Sequence, residues 1–293
     1  MNNFLVPTIS SFAYYYLRFS VPLVMMEAIM TPLDAVILGA VQGFTEFIPV
    51  SSSGHLILAQ RFLDLQGNFT FDVLLNFGTL LALFIFFRSR IANIFREVFV
   101  EKDWRYILVL IVGVLPVVVV GLIFSDWFST LDKHPWLVAL MLFLFGLPMI
   151  FIGKEDRKPR VREDSQASLK DALVIGSVQV LALFPGVSRS GSTIMAGMRR
   201  GFSAQAAADF SFLMAIPTIL GASLKTLVSS EGRDFMSNHL SLFILGNFVS
   251  FVCGALAIET LLRFLRRRGL GVFGYYRVGL AVVLAALMIF KVI

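Results

Sequence analysis

Apolar residues run through this chain in long blocks, separated by short charged stretches and by prolines, glycines and serines. Six blocks, at about 71–87, 104–124, 136–152, 210–228, 240–262 and 273–293, come close to the ~20 residues a helix needs to cross a bilayer, and each predicts a transmembrane helix. Two other runs are too short. Residues 33–48 stop at Pro49 and a run of serines, and 56–65 is shorter still. Two short helices joined at a Pro-x-Ser-Ser-Ser-Gly turn predict a re-entrant hairpin over 33–65, entering and leaving by one membrane face. Non-helical backbone at that depth is tolerated only inside protein or along a watery cavity. A second such hairpin falls at 171–200, with Pro185 and Gly186 at its turn.

The two hairpins are copies of one sequence. Residues 34–59, DAVILGAVQGFTEFIPVSSSGHLILA, align without a gap on residues 171–196, DALVIGSVQVLALFPGVSRSGSTIMA, with 12 of 26 positions identical. Shared apolar character would match Leu, Val and Ala; it does not account for the shared Asp, Gln and Ser-x-Ser-Gly. The differences carry the chemistry. Glu46, Ser52 and His55 in the first copy stand where the second has Leu183, Arg189 and Ser192.

The plan is therefore an all-α polytopic membrane protein, a hairpin plus three spans, twice: repeat one over 30–152, a charged cytoplasmic loop over 153–170, and repeat two over 171–293. Three crossings between the hairpins make them enter from opposite faces, an inverted repeat. Residues 1–29, broken by Pro7, Arg18, Pro22 and Glu27, lack the basic start and cleavage site of a signal peptide and read as an N-terminal extension or extra helix ahead of a start near Met30.

Composition agrees with this plan. A chain of 293 residues that is 57% hydrophobic and 15% charged is not an ordinary soluble domain. Its net charge of +6 does not call for nucleic acid, because the basic residues sort by side. On the topology above, 17 of the 25 Lys and Arg residues fall on one face, in 88–105, 154–170, 199–200 and 263–268. That face is the cytoplasmic one, so repeat one opens outward and repeat two inward. The single cysteine, Cys253, lies in an apolar block and excludes an intramolecular disulfide.

Inverted hairpins bring their turns together near the midplane with half-helix N-termini pointing inward, a setting suited to an anion such as phosphate. Ser51, Ser52 and Ser53, and Ser188 and Ser190, stand where serine also serves as an N-cap, so capping and ligand binding are both open. Arg189, inside an apolar region, needs a cavity or a partner. Its planar fork suits bidentate binding of phosphate, while an ion pair to Glu46 would itself join the two repeats. Gln42 and Glu46, four apart, share a helix face. An embedded carboxylate calls for Arg189, a cation or a proton, and hard oxygens beside a pyrophosphate favour Mg²⁺ or Ca²⁺ over zinc. His134 and His239 lie in expected loops, which argues against a zinc cluster. His55, three positions after Ser52, is either its acid/base partner or a structural histidine. Gly39 and Gly43 read as a helix-packing pair.

These residues resemble a known family. QGFTEFIPVSSSGH, residues 42–55, is similar to the first signature of the undecaprenyl-pyrophosphate phosphatases, the bacitracin-resistance family, and PGVSRSGST, residues 185–193, to its second. The resemblance runs from about residue 30 to 293, leaves residues 1–29 outside, and admits Gln or Glu at Gln42. It implies a membrane enzyme that cleaves the C55 polyprenyl pyrophosphate carrier of cell-wall precursors to the monophosphate and inorganic phosphate. By motif position it implies Ser52 as nucleophile, His55 as its acid/base partner, Arg189 as phosphate clamp, and Glu46 with Gln42 organising a divalent cation, Mg²⁺ or Ca²⁺. Ser51, Ser53, Ser188, Ser190, Thr193 and Gln179 are further candidates for substrate contact. The expected setting is the bacterial plasma membrane, with the site opening outward; a homodimer is left open. The rival reading is a flippase or ion-coupled carrier using the same midplane anion site, and a purely structural role would leave an embedded Glu and Arg unexplained.

Overall fold

The computed structural model describes residues 30–65, 69–131, 134–155 and 162–290. The reading of residues 1–29 lies outside these described residues, as does the middle of the 153–170 loop.

The first short-helix pair is α1 (Pro32–Phe47) and α2 (Ser52–Phe62). Thr31 caps α1 through a capping box with Asp34, and Pro32 occupies the first turn, where its missing N–H costs nothing. α1 stops where Pro49 forces Ile48 out of the helical region, to φ −64° and ψ 131°. The second pair is built alike. Ser168 and Asp171 form the capping box of α9 (Leu169–Gln179), a 3₁₀ turn follows at Val180–Leu183, Phe184 before Pro185 is extended, and α10 (Arg189–Arg199) runs back. None of these helices exceeds 16 residues.

Between the pairs lie α3 (Phe69–Leu74), α4 (Asn76–Phe86), α5 (Arg88–Phe99), α6 (Arg105–Ile123), α7 (Ser125–Leu131) and α8 (Pro135–Glu155). After the second pair come α11 (Ala204–Val228), α12 (Ser230–Arg268, kinked at His239) and α13 (Gly271–Ile289). Among the described residues, α6, α8, α11, α12 and α13 are long and apolar enough to cross a membrane. A sixth candidate, Thr70–Phe86 with Arg88–Phe99, is bent by 72° at its break. The basic segment at 88–105, expected as a loop, is thus largely helix, with the bend where Arg88 and Arg90 end the apolar run. Apart from an isolated bridge between Arg162 and Phe202, there is no β-structure among the described residues.

Each short-helix pair packs on a long helix of the other half: α1 lies along α12, and α9 along α6. Both crossings run glycine against backbone. A Cβ at Gly39 would lie 2.4 Å from the Gly246 carbonyl oxygen, and one at Gly176, its repeat equivalent, 2.0 Å from that of Gly113. Only glycine permits either approach. The two closing helices, α8 and α13, pack on each other. In the first turn of α9, Asp171 is buried and paired with Arg162 and with Arg200, at 2.8 Å for the latter. Burial alone would raise its carboxyl, but the hydrogen bonds from Arg162, Ser168 and Arg200 outweigh that and hold it far below the usual range.

Candidate active site

Both turns place a serine in a conformation that L-residues rarely adopt. Ser51 has φ 76° and Ser188 φ 71°, at equivalent positions of the repeat. Left-handed backbone outside glycine costs about 1–3 kcal/mol and persists where the surroundings hold it. Here the serine hydroxyl offsets the cost by capping the helix that follows: Ser51 Oγ accepts from Gly54 N and Ser188 Oγ from Gly191 N. A second serine stands beside each cap, Ser53 Oγ 3.2 Å from Ser51 Oγ and Ser190 Oγ 3.3 Å from Ser188 Oγ. The strained turn points the first residue of each following helix, Ser52 and Arg189, at one place.

That place is Glu46, at the end of α1. Its Oε2 accepts from Ser52 Oγ at 2.7 Å and from Gln42 Nε2 at 3.0 Å, while its Oε1 pairs with Arg189 Nη2 at 3.0 Å. The Glu46 and Arg189 side chains are only 11% and 12% exposed, so their attraction is screened less than that of a surface ion pair, and removing either partner strands a charge. Gln42 Nε2 also reaches Asn76 Oδ1 at 2.8 Å, and Arg189 Nη1 reaches the Ser211 carbonyl at 3.3 Å. One carboxylate thus joins the two short-helix pairs.

A cavity of about 230 Å³ opens beside this cluster, lined among others by Glu46, Ser52, Ser53, Gln179, Ser188 and Arg189. Gln179 is fully buried there, and among the described residues its Oε1 has no hydrogen-bond partner; its Nε2 makes a long contact to Thr218 at 3.5 Å. Its repeat equivalent Gln42 is also buried but bonded.

The remaining sequence candidates sit around this centre. Ser190 and Thr193 are buried, and Thr193 Oγ1 bonds to the Arg189 carbonyl at 2.8 Å and Ser211 Oγ at 2.6 Å, fixing α10 from behind. His55 is bonded elsewhere than to Ser52. Its Nδ1 lies 2.7 Å from the Ser51 carbonyl, so Nδ1 carries a proton, and Nε2 lies 2.7 Å from the Tyr276 hydroxyl. The two rings stack with centroids 5.8 Å apart. Among the described residues the hydroxyl of Ser52 is bonded to Glu46. Sequence reasoning missed Asn76, Thr218, Ser211, Tyr276 and Arg277. Arg277 carries the signal that Arg189 did, a guanidinium in an apolar run; the others are ordinary polar residues whose role only the fold reveals.

Long apolar helices around a partly buried serine–carboxylate–guanidinium cluster define a multi-pass membrane protein with an internal polar centre. The chain belongs to the family described as Bacitracin resistance protein BacA, whose profile matches residues 35–283. It is 39% identical over 271 residues to an undecaprenyl-diphosphatase 1 of Oenococcus oeni, covering 87% of this chain and 96% of that protein. An undecaprenyl-diphosphatase of Rubrobacter xylanophilus is 40% identical over 269 residues, covering 88% and 98%. One from Nitrobacter hamburgensis is 39% identical over 250 residues, covering 84% and 93%.

Proposed function

We propose that this protein is an integral-membrane phosphatase that hydrolyses undecaprenyl diphosphate to undecaprenyl phosphate and inorganic phosphate. Family membership and the diphosphatase names of its relatives support this. The observation that carries it is Glu46, bonded at once to the Ser52 hydroxyl and to Arg189. Those names speak for hydrolysis, and nothing comparable supports the flippase reading.

In this mechanism the lipid tail lies among the apolar helices and the diphosphate enters the cavity. Its oxygens compete with Glu46 for the Arg189 fork, a bidentate match that holds the charge as it develops in transfer. Glu46 Oε2, already the acceptor of the Ser52 hydroxyl, takes its proton as Ser52 Oγ attacks the terminal phosphorus. The bridging P–O bond breaks, undecaprenyl phosphate leaves, and water then cleaves the phosphoserine to free phosphate. His55, bonded to the Ser51 carbonyl and to the Tyr276 hydroxyl, steadies the turn that presents Ser52 rather than taking its proton.

The donors at Glu46 fit a divalent cation held jointly with substrate. Among the described residues no three His, Cys, Asp or Glu side chains converge on a point. Glu46 and the Gln42 amide would hold the ion, either Mg²⁺, which is usually bound through one or two carboxylates together with substrate phosphates, or Ca²⁺. The bound ion supplies neutralisation of phosphoryl charge.

The two halves form an inverted repeat of re-entrant hairpins and three spans each. The shared strained serine turns and the crossed packing of α1 on α12 and α9 on α6 support this. The basic face is cytoplasmic in the bacterial plasma membrane and the cavity is served from outside. A C-terminal tag found in the cytoplasm would contradict that orientation.

Phosphate release from undecaprenyl diphosphate by purified protein in detergent tests the activity. The reading expects release that EDTA abolishes and Mg²⁺ or Ca²⁺ restores, and loss of turnover in Ser52→Ala. Absence of release from folded wild-type protein would sink it; near-normal turnover in Ser52→Ala would replace the serine nucleophile by water.

A further inference from the structure

α13 carries an arginine that the reaction above does not use. Arg277 is fully buried, and among the described residues no carboxylate pairs with it. Its Nη2 donates to the Gly186 carbonyl at 2.7 Å and to the Met141 carbonyl of α8 at 3.4 Å, while Nε and Nη1 have no partner among the described residues. A guanidinium buried without counter-charge or full hydrogen bonding is costly, and an apolar side chain of similar volume often packs in such a place with no loss of stability. Stability does not explain this residue.

Its position does. Gly186 is the turn of the second hairpin, at φ 94°, pressed so closely on α8 that a Cβ would lie 2.7 Å from the Val138 carbonyl oxygen. The Gly186 N–H in turn points to Ser53 Oγ at 3.4 Å, and Ser53 lines the cavity beside the cap Ser51. One residue before Arg277, the Tyr276 hydroxyl meets His55 of the first hairpin. Two consecutive residues of α13 therefore hold both hairpin tips, Tyr276 the first and Arg277 the second.

We propose that Arg277 is a positioning residue: its guanidinium anchors the Gly186 peptide against α8 and, through the Gly186 N–H, sets Ser53 at the wall of the cavity where the two hairpins meet. Its effect on turnover rests on the phosphatase reading; its effect on the turn does not.

The test compares wild type with Arg277→Met, which keeps volume and drops the fork, and Arg277→Lys, which keeps charge with a single ammonium. Arg277→Met is expected to melt in detergent no lower than wild type, yet to lose at least about tenfold in kcat for undecaprenyl diphosphate, with KM within about threefold. Arg277→Lys should fall between. In a Ser53→Ala background the Arg277→Met loss should shrink, because the relay is already cut. Hydrogen exchange across residues 184–190 should quicken by about tenfold in Arg277→Met while α8 and α13 stay as protected as before. Unchanged exchange in the turn, unchanged kcat, or a kcat loss matched by a lower melting temperature would each overturn the proposal. Wild type that releases no phosphate, with the turn still loosened in Arg277→Met, would support the positioning role and refute the phosphatase reading.

Discussion

The two short-helix pairs share one scaffold and differ in what they present. Each begins with a capping box, each turns through a serine held near φ 70–76°, and each crosses a long helix of the other half at a glycine. On that common frame the first pair presents a carboxylate and a hydroxyl, Glu46 and Ser52, and the second presents a guanidinium, Arg189, where Ser52's equivalent would be. Burial differs too. Ser190 to Met198 of α10 are all buried, whereas α2 is mixed and Ser53 is exposed. On the proposed reading, a duplicated turn has become a reactive half and a holding half. Neither half makes the cluster alone, because Glu46 and Arg189 offset each other's charge in an apolar surround.

Substitutions sharpen this division, and the largest effect is expected in the reactive half. Glu46→Gln keeps the shape but removes both the charge and the proton acceptor for Ser52, and should lower kcat by about 10³-fold in a phosphate-release assay. In the holding half, Arg189→Lys keeps the charge and loses the fork, with an expected loss of about 10²-fold in kcat/KM. A Glu46→Gln enzyme as active as wild type would erase the distinction between the halves.

Smaller effects separate the halves by stability. Asp171 and Asp34 occupy the same repeat position and cap in the same way, but Asp171 is also paired with Arg162 and Arg200. Asp171→Asn should therefore cost about 1–3 kcal/mol more than Asp34→Asn in denaturation at neutral pH. The Asp171 carboxyl is held below its unfolded value, so its contribution is present above about pH 4 and is lost as pH falls through the folded value. The excess cost should thus vanish in strong acid; an excess that grows on acidification would contradict the assignment. Least of all, Ser51→Ala and Ser188→Ala should each cost about 1 kcal/mol, and by similar amounts, since both remove one cap at one strained position. Unequal melting shifts would show that the two turns are not equivalent.

Much of this frame was legible in the chain. The apolar blocks marked the long helices, and Pro49 ended α1 and Pro185 the 3₁₀ turn after α9, because a residue before proline leaves the helical region. The repeat marked Glu46 and Arg189 as the divergent charges, and an ion pair between them was one of two readings that residue types allowed. What the chain did not disclose came from contacts distant in sequence. The spacing of Ser52 and His55 suggested a shared helix face, yet His55 bonds back to the Ser51 carbonyl and outward to Tyr276, 221 residues on, and Ser52 instead meets Glu46 across the turn. Asn76 and Thr218 are polar residues in apolar runs, with no local pattern to single them out. The 72° bend after Phe86 was hidden as well, because a basic stretch reads as loop whether or not it continues as helix.

The central claim, that the two halves form one active site through Glu46 and Arg189, is tested most directly by a double-mutant cycle on phosphate release. Glu46→Ala and Arg189→Ala should each remove nearly all release, and the double variant should be no worse than the poorer single one, since either change dismantles the same site. Losses that multiply, or one variant that keeps near-normal release, would mean that the halves act separately.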